Sequence, residues 1–169
     1  MKLLIMILHW SMLRNTSLVM CYLCGQPTQT VVCTDIEDYN RSSVPFVVAS
    51  GDSLLFGDKS FNASTIFYVL HHTDNPEGIL REAKRVSKDK VIVQEDTYRN
   101  ILEKISYELH IRRFQRKHHL SRIGPARKDE DWQRMFEQEG FTLDSTRRVH
   151  RLGRPATRIE YELGIPKQM

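Results

Sequence analysis

"STIFYVLHHTDNPEGILREAKRV", residues 64–86, is the stretch of sequence that decides the fold. Its first nine residues are largely apolar or β-branched, which is the pattern of a strand buried on both faces. Asn75 then suits a helix cap, Pro76 suits the first helical position, and apolar residues recur at helical spacing as far as Val86. The stretch therefore predicts a strand over residues 64–72 that leads directly into a helix.

Three further segments look like this strand, and each of them ends in polar residues. They cover residues 30–36, 44–52 and 90–96, and each leads from apolar side chains to a carboxylate. Buried strands that alternate with helices predict a mostly parallel sheet covered by helices on both faces. The expected fold class is therefore α/β, of the Rossmann-like kind.

The second half of the chain predicts two more helices and a pair of strands. Residues 99–118 and 129–140 carry apolar side chains at helical spacing, and Gly140 is a suitable helix end. The final segments, "FTLDSTRRVHR" and "ATRIEYELGI", alternate in polarity and predict an antiparallel pair at a sheet edge. Since no repeat or linker divides the sequence, we expect a single domain over residues 1–169.

Composition restricts the class of protein only mildly. The chain has 169 residues, of which 40% are hydrophobic, and its 25 Lys and Arg against 21 Asp and Glu leave a net charge of +4. This positive charge favours binding to anionic surfaces, but it does not require that the protein binds nucleic acid. Three cysteines, Cys21, Cys24 and Cys33, form a poor disulfide framework and indicate a reducing compartment, the cytoplasm. The apolar opening is too short for a membrane span, so we expect no membrane association.

The polar residues at the predicted strand ends carry a family resemblance, because ligands of open parallel sheets bind beyond the carboxyl ends of the strands. In chain order they are Asp35, Gly51-Asp52-Ser53, His71-His72 and Glu95-Asp96. This ordered set resembles the class I S-adenosylmethionine-dependent methyltransferases, in particular the small-molecule type (methyltransferase domain 11) with "LHH" after the fourth strand. The similarity extends over residues 30–165, and residues 1–29 form an atypical N-terminal segment.

The resemblance implies S-adenosylmethionine as cofactor and assigns it a set of binding residues. Asp35 would hydrogen-bond the ribose hydroxyls, and Asp52 would accept from the adenine amino group. The Ser53 backbone would meet the adenine ring, and Phe67 would also line the cofactor site. The reaction implied is methyl transfer to a small-molecule acceptor.

His71 and His72 are the candidate catalytic residues. Alternation along a strand sends their two rings to opposite faces, unless the strand has already ended and the loop turns them together. We expect one ring to line the acceptor pocket as a base and the other to pack. We expect His72 to face the pocket, because it lies farther towards the loop. A metal site is not expected, since Asp74 is the one further ligand close in sequence.

One departure from the family concerns the glycine-rich loop after the first strand, where backbone N–H groups approach the cofactor. "LLIMIL" suits that strand, but "HWSM" follows it, and residues 1–29 contain a single glycine, Gly25. Cofactor binding is therefore predicted to be weak or lost, with an altered or truncated start. The alternative is a non-catalytic methyltransferase-like module, with weak nucleic-acid contact through Arg112, Arg113, Arg116 and Lys117.

Overall fold

A single sheet of seven strands organises the protein. The computed structural model describes residues 2–7, 30–36, 38, 44–98, 100–118, 127–149 and 157–166. The strands are β1 (Lys2–Ile7), β2 (Thr30–Asp35), β3 (Phe46–Val48), β4 (Phe61–Phe67), β5 (Ser87–Thr97), β6 (Thr142–Val149) and β7 (Thr157–Gly164). The helices in this part of the chain are α1 (Pro76–Val86), α2 (Ile101–His118), α3 (Asp129–Gln138) and a short 3₁₀ helix (Leu70–His72).

The strand order across the sheet is β3-β2-β1-β4-β5-β7-β6. The first five strands in this order are parallel, whereas β7 runs antiparallel to both β5 and β6. The α/β prediction and the antiparallel pair are thus confirmed, and β1, Lys2–Ile7, lies where the sequence predicts the first strand. The chain builds outward from β1 to β3 and then returns to β4, so the topological switch point lies between β1 and β4.

The main core lies on one face of the sheet, beneath α1 and α3. Fully buried aromatic rings form its centre: Trp132 lies parallel to Phe136 with 6.4 Å between centroids, and Phe136 meets Tyr161 edge-on at 5.1 Å. Each such side chain contributes about 1.5–3 kcal/mol of burial. The surrounding aliphatic residues are Leu4, Ile66, Ile79, Leu80, Ala83, Val86, Val91, Val93, Ile159 and Leu163.

Two strands end earlier in the structure than the sequence predicts. The third is three residues, Phe46–Val48, instead of residues 44–52. The fourth ends at Phe67, and the predicted extension through residue 72 is wrong. Tyr68 has a φ of 56°, a left-handed conformation that an extended strand cannot contain, so the chain turns there.

The helices follow their sequence signals closely. Asn75 caps α1, because its Oδ1 accepts from the Gly78 amide at 3.0 Å. Gly140, with a φ of 72°, follows the end of α3, and its amide donates to the Glu137 carbonyl at 2.9 Å. Within the part of the chain that the structure describes, no helix combines the length and apolarity needed to cross a membrane.

Some predictions fall on residues that the structure does not describe. These are the "HWSM" joint after β1, the glycine at position 25, and the thiols at positions 21 and 24. Cys33, on β2, is buried.

Candidate active site at the carboxyl edge of the sheet

Asp35 lies at the carboxyl end of β2, which pairs with β1, and Ile36 follows it. Asp35 is the last residue of the strand and is buried, and its Oδ1 accepts from the Ile36 amide at 2.6 Å. The Ile36 side chain is 56% exposed although it is large and apolar. A buried carboxylate and an open apolar surface therefore stand side by side near the switch point.

Asp52 lies in the loop that follows β3. Its Oδ1 accepts from the Ser50 hydroxyl and its Oδ2 accepts from Asn75 Nδ2 at 3.0 Å. The hydrogen bond from Ser50, and then that from Asn75, lower the pKa of the Asp52 carboxyl, so it is ionised at neutral pH. Because Asn75 also caps α1, this carboxylate is tied to the start of the helix.

Ser53 and Leu55 complete this part of the edge. The Ser53 amide donates to the Ser50 carbonyl at 3.0 Å, which closes a tight turn. Leu55 is 76% exposed. We call the group Asp35, Ile36, Asp52, Ser53 and Leu55 the acidic half of the site.

Glu95, near the end of β5, and His71, in the 3₁₀ helix that follows β4, form a buried pair. Glu95 is fully buried and accepts from His71 Nδ1 and, at 2.9 Å, from the Leu70 amide. Burial opposes the charged imidazolium, but the Glu95 carboxylate outweighs it and raises the pKa of His71 above its ordinary value. The carboxylate thus holds both the ring and the turn that carries it.

His71 and His72 lie on the same side of the chain. Their ring centroids are 4.0 Å apart, with 40° between the planes. The prediction of opposite faces is wrong, because consecutive residues of a 3₁₀ helix are only about 120° apart and not alternating as in a strand. His71 is buried and His72 is half-buried. The catalytic assignment of either histidine stays a prediction.

Tyr68 and Arg158 form a second pair at this edge. The Arg158 guanidinium lies 4.5 Å from the centroid of the Tyr68 ring, and its Nε donates to Asp96 Oδ1 at 2.9 Å. The Tyr68 hydroxyl donates to Gln94 Oε1 at 2.5 Å. We call the group Tyr68, His71, His72, Glu95, Asp96 and Arg158 the histidine half of the site.

Sequence reasoning did not find the role of Tyr68, Glu95 or Arg158. Arg158 is 62 residues from Asp96, and His71 is 24 residues from Glu95, so no local motif joins them. The signal that was present is the pair of carboxylates ending β5, which needed partners because charged groups are rarely buried alone.

Phe67 and Tyr107 are two buried aromatic residues, one at the end of β4 and one on α2 within range of the charges of Asp96 and Glu95. Phe67 is the last residue of β4 and is buried, and its contact with a cofactor stays a prediction. Tyr107 of α2 is buried, and burial together with the charges of Asp96 and Glu95 raises its pKa. Among the described residues, no cluster of three or more His, Cys, Asp or Glu side chains could hold a metal ion.

Comparison with known proteins identifies a matching family segment and a shared fold. Residues 15–93 match the family model described as "Methyltransferase domain". No curated protein matches the sequence significantly. The predicted resemblance to methyltransferases is thus supported by the family model over residues 15–93, and the solved structures described next share the fold over nearly the whole chain.

Several solved structures share the fold. A Bacillus halodurans C-125 protein assigned to the methyltransferases is 16% identical, with 98% of this chain and 93% of that chain covered and a TM-score of 0.68. The 1,6-didemethyltoxoflavin-N1-methyltransferase of Burkholderia thailandensis, solved with 1,6-didemethyltoxoflavin and S-adenosylhomocysteine, is 14% identical. The alignment covers 98% of this chain and 71% of that chain, with a TM-score of 0.68. An S-adenosylmethionine-dependent methyltransferase of Aquifex aeolicus is 11% identical, with 98% of this chain and 82% of that chain covered and a TM-score of 0.65. At these identities the likeness concerns the fold.

Proposed function

We propose that the protein is a cytoplasmic methyltransferase-like protein that binds S-adenosylmethionine weakly and directs its methyl group towards a small-molecule acceptor. The observation that carries this proposal is the placement of Asp35 and Asp52 beyond neighbouring parallel strands, beside the switch point between β1 and β4. Ligands of doubly wound sheets bind at this position.

The acidic half fits an adenosine group. Asp35 suits the ribose hydroxyls, and Asp52 suits the adenine amino group because a carboxylate has about four acceptor positions, of which hydrogen bonds from Ser50 and Asn75 occupy two. The exposed side chains of Ile36 and Leu55 provide apolar surface for the base. The Ser53 amide already donates to Ser50, so Ser53 offers its hydroxyl or carbonyl instead.

The histidine half supplies the groups that act on the acceptor. When bound, the cofactor supplies an electrophilic methyl group on a sulfonium. Glu95 orients His71, and the His71 ring supports the half-buried His72, which we assign to proton removal from the acceptor. Since such transfers depend on placing the nucleophile about 3–3.5 Å from the methyl carbon, orientation is the main contribution of these residues.

Weak binding is proposed because of the sequence that follows β1. A glycine-rich loop lets the backbone approach the methionine portion of the cofactor, and residues 1–29 hold only Gly25. Bulky residues such as His9 and Trp10 stand where the loop is expected. The adenosine portion then provides most of the binding energy, and methyl transfer is slow or lost.

The test is a thermal-shift titration with S-adenosylhomocysteine. A ligand at 100 times its Kd stabilises a protein by about 2.7 kcal/mol. We expect a small, saturable shift at millimolar ligand that Asp35→Ala abolishes. Glu137→Ala, which removes an exposed carboxylate from α3, is the matched control and should leave the shift unchanged. A full shift at micromolar ligand would contradict weak binding, and no shift in any variant would contradict binding.

A second candidate function is a non-catalytic interaction module, and α2 is the observation that favours it. This helix exposes Ile101, Leu102, Ile105 and Leu109 on one side, and Arg112 and Arg113 are also exposed. The side chains of Arg116 and Lys117 lie outside the described residues. Titration with fluorescent single-stranded RNA at two salt concentrations tests this role: we expect weak, salt-sensitive binding, whereas tight binding that persists at high salt would favour the module.

A further inference from the structure

Arg158 differs from Arg85, another partly buried arginine, in how much of its guanidinium is hydrogen-bonded. Arg85 uses Nε, Nη1 and Nη2, which together donate to Glu82, Asp58 and two backbone carbonyls. Arg158 uses only Nε, towards Asp96, and neither of its Nη nitrogens has a hydrogen-bond partner among the described residues. The side chain is nevertheless only 11% exposed.

The two Nη groups of Arg158 keep access to solvent. The buried side-chain atoms that lack a partner in this part of the chain belong to Thr34, Thr65 and Trp132, and not to Arg158. The guanidinium thus presents, at the carboxyl edge of the sheet, four N–H donors that no described residue uses. For a nearly buried arginine this is unusual, because burial without partners costs free energy.

The plane of the guanidinium is fixed from two directions. Asp96 holds Nε at 2.9 Å, and the Tyr68 ring lies 4.5 Å from the guanidinium carbon. Tyr68 is itself held by Gln94 and by its left-handed backbone, a strained conformation that persists only where the surroundings enforce it. A rigid planar fork of this kind is suited to bidentate recognition of an oxyanion.

We propose that the two Nη groups of Arg158 bind a carboxylate carried by the methyl acceptor. The proposal rests on the proposed function, because Arg158 lies at the same carboxyl edge of the sheet as His71 and its charge acts on His71. Asp96 offsets the charge of Arg158, and a protonated His71 offsets that of Glu95, so these four side chains together carry no net charge. A singly charged, planar carboxylate therefore suits the subsite better than a doubly charged phosphate.

The experiment is an NMR titration of the full chain labelled with ¹⁵N-arginine, using benzoate as the probe. We expect saturable shifts of the Arg158 side-chain signals with a Kd on the order of 1–10 mM, corresponding to weak binding. Benzamide, the neutral isostere, should cause no shift, and inorganic phosphate should bind at least fivefold more weakly. The signals are assigned by their loss in Arg158→Lys.

Two variants make the test specific. Asp96→Asn removes the competing carboxylate but keeps Arg158, and it should tighten benzoate binding several-fold. Arg147→Gln removes a cation that is 63% exposed and already paired with Glu160, and it should leave the titration unchanged. Arg158 signals that ignore benzoate, or that respond equally to benzamide, would overturn the proposal.

The outcome is separable from that of the cofactor proposal. Benzoate shifts without binding of S-adenosylhomocysteine would reject the cofactor assignment alone. Binding of S-adenosylhomocysteine without benzoate shifts would reject the carboxylate subsite alone.

Discussion

The two halves of the site are built differently. In the acidic half, Ile36, Asp52, Ser53 and Leu55 are exposed, and Asp52 accepts hydrogen bonds from Ser50, two residues away, and from Asn75, 23 residues away. In the histidine half, the contacts join distant parts of the chain and hold a buried ion pair and a strained tyrosine. Most of the acidic half is therefore open to solvent, where we propose that it meets a ligand, whereas the histidine half is part of what holds the fold together.

The largest effect that follows from this comparison is the loss of Glu95. Glu95→Ala leaves the His71 charge and the Leu70 amide without their buried partner, so we expect destabilisation of about 3–5 kcal/mol. Urea unfolding measures it. Glu137→Ala, at an exposed position, should change stability by less than about 0.5 kcal/mol. A cost for Glu95→Ala as small as that of the control would remove the distinction between the halves.

The two histidines provide a smaller contrast within one half. His71→Ala should cost about 1–3 kcal/mol, because it strands the buried Glu95, whereas His72→Ala should cost about 0.5 kcal/mol or less. The same unfolding experiment compares them. Equal costs would mean that the burial difference between the neighbouring rings has no energetic consequence.

The pH dependence of stability is a finer probe of the His71 pair. Burial lowers the pKa of His71, but Glu95 and Asp96 raise it by more, while Arg158 opposes them, and the net shift is upward. A raised folded pKa means that the folded state binds the proton more tightly than the unfolded state. The stabilisation is therefore complete below about pH 6.5 and is lost as the pH rises through the folded pKa.

Unfolding free energies at several pH values, for the protein and for His71→Gln, test this dependence. We expect the stability difference between the two to shrink as the pH rises from 6 to 9. A difference that grows with pH would show that His71 is neutral in the folded protein.

The sequence predicted the positions of Asp35 and Asp52 better than the contacts of the histidine half, because those contacts join distant residues. Asp35 and Asp52 follow apolar runs that end the strands, and the cap at Asn75 is a local signal. The pairing of Glu95 with His71 depends instead on the register of β4 against β5, in which Phe67 lies opposite Gln94. No local sequence pattern predicts how β4 and β5 are aligned.

The turn at Tyr68 explains the main error in the fold. Val69 and Leu70 are buried, so the apolar run continues unbroken past the end of β4 and resembles a longer strand. A left-handed residue is usually signalled by glycine or asparagine, and a tyrosine gives no such signal. Tertiary contacts with Gln94 and Arg158 accompany the turn instead.

The most direct test of the account compares the binding of adenosine and S-adenosylhomocysteine by isothermal titration calorimetry. If the acidic half supplies the binding energy and the segment after β1 adds little, the two affinities should agree within about tenfold, or 1.4 kcal/mol. Both should be lost in Asp35→Ala. S-adenosylhomocysteine that binds a hundredfold more tightly than adenosine, or binding of either that survives Asp35→Ala, would contradict the account.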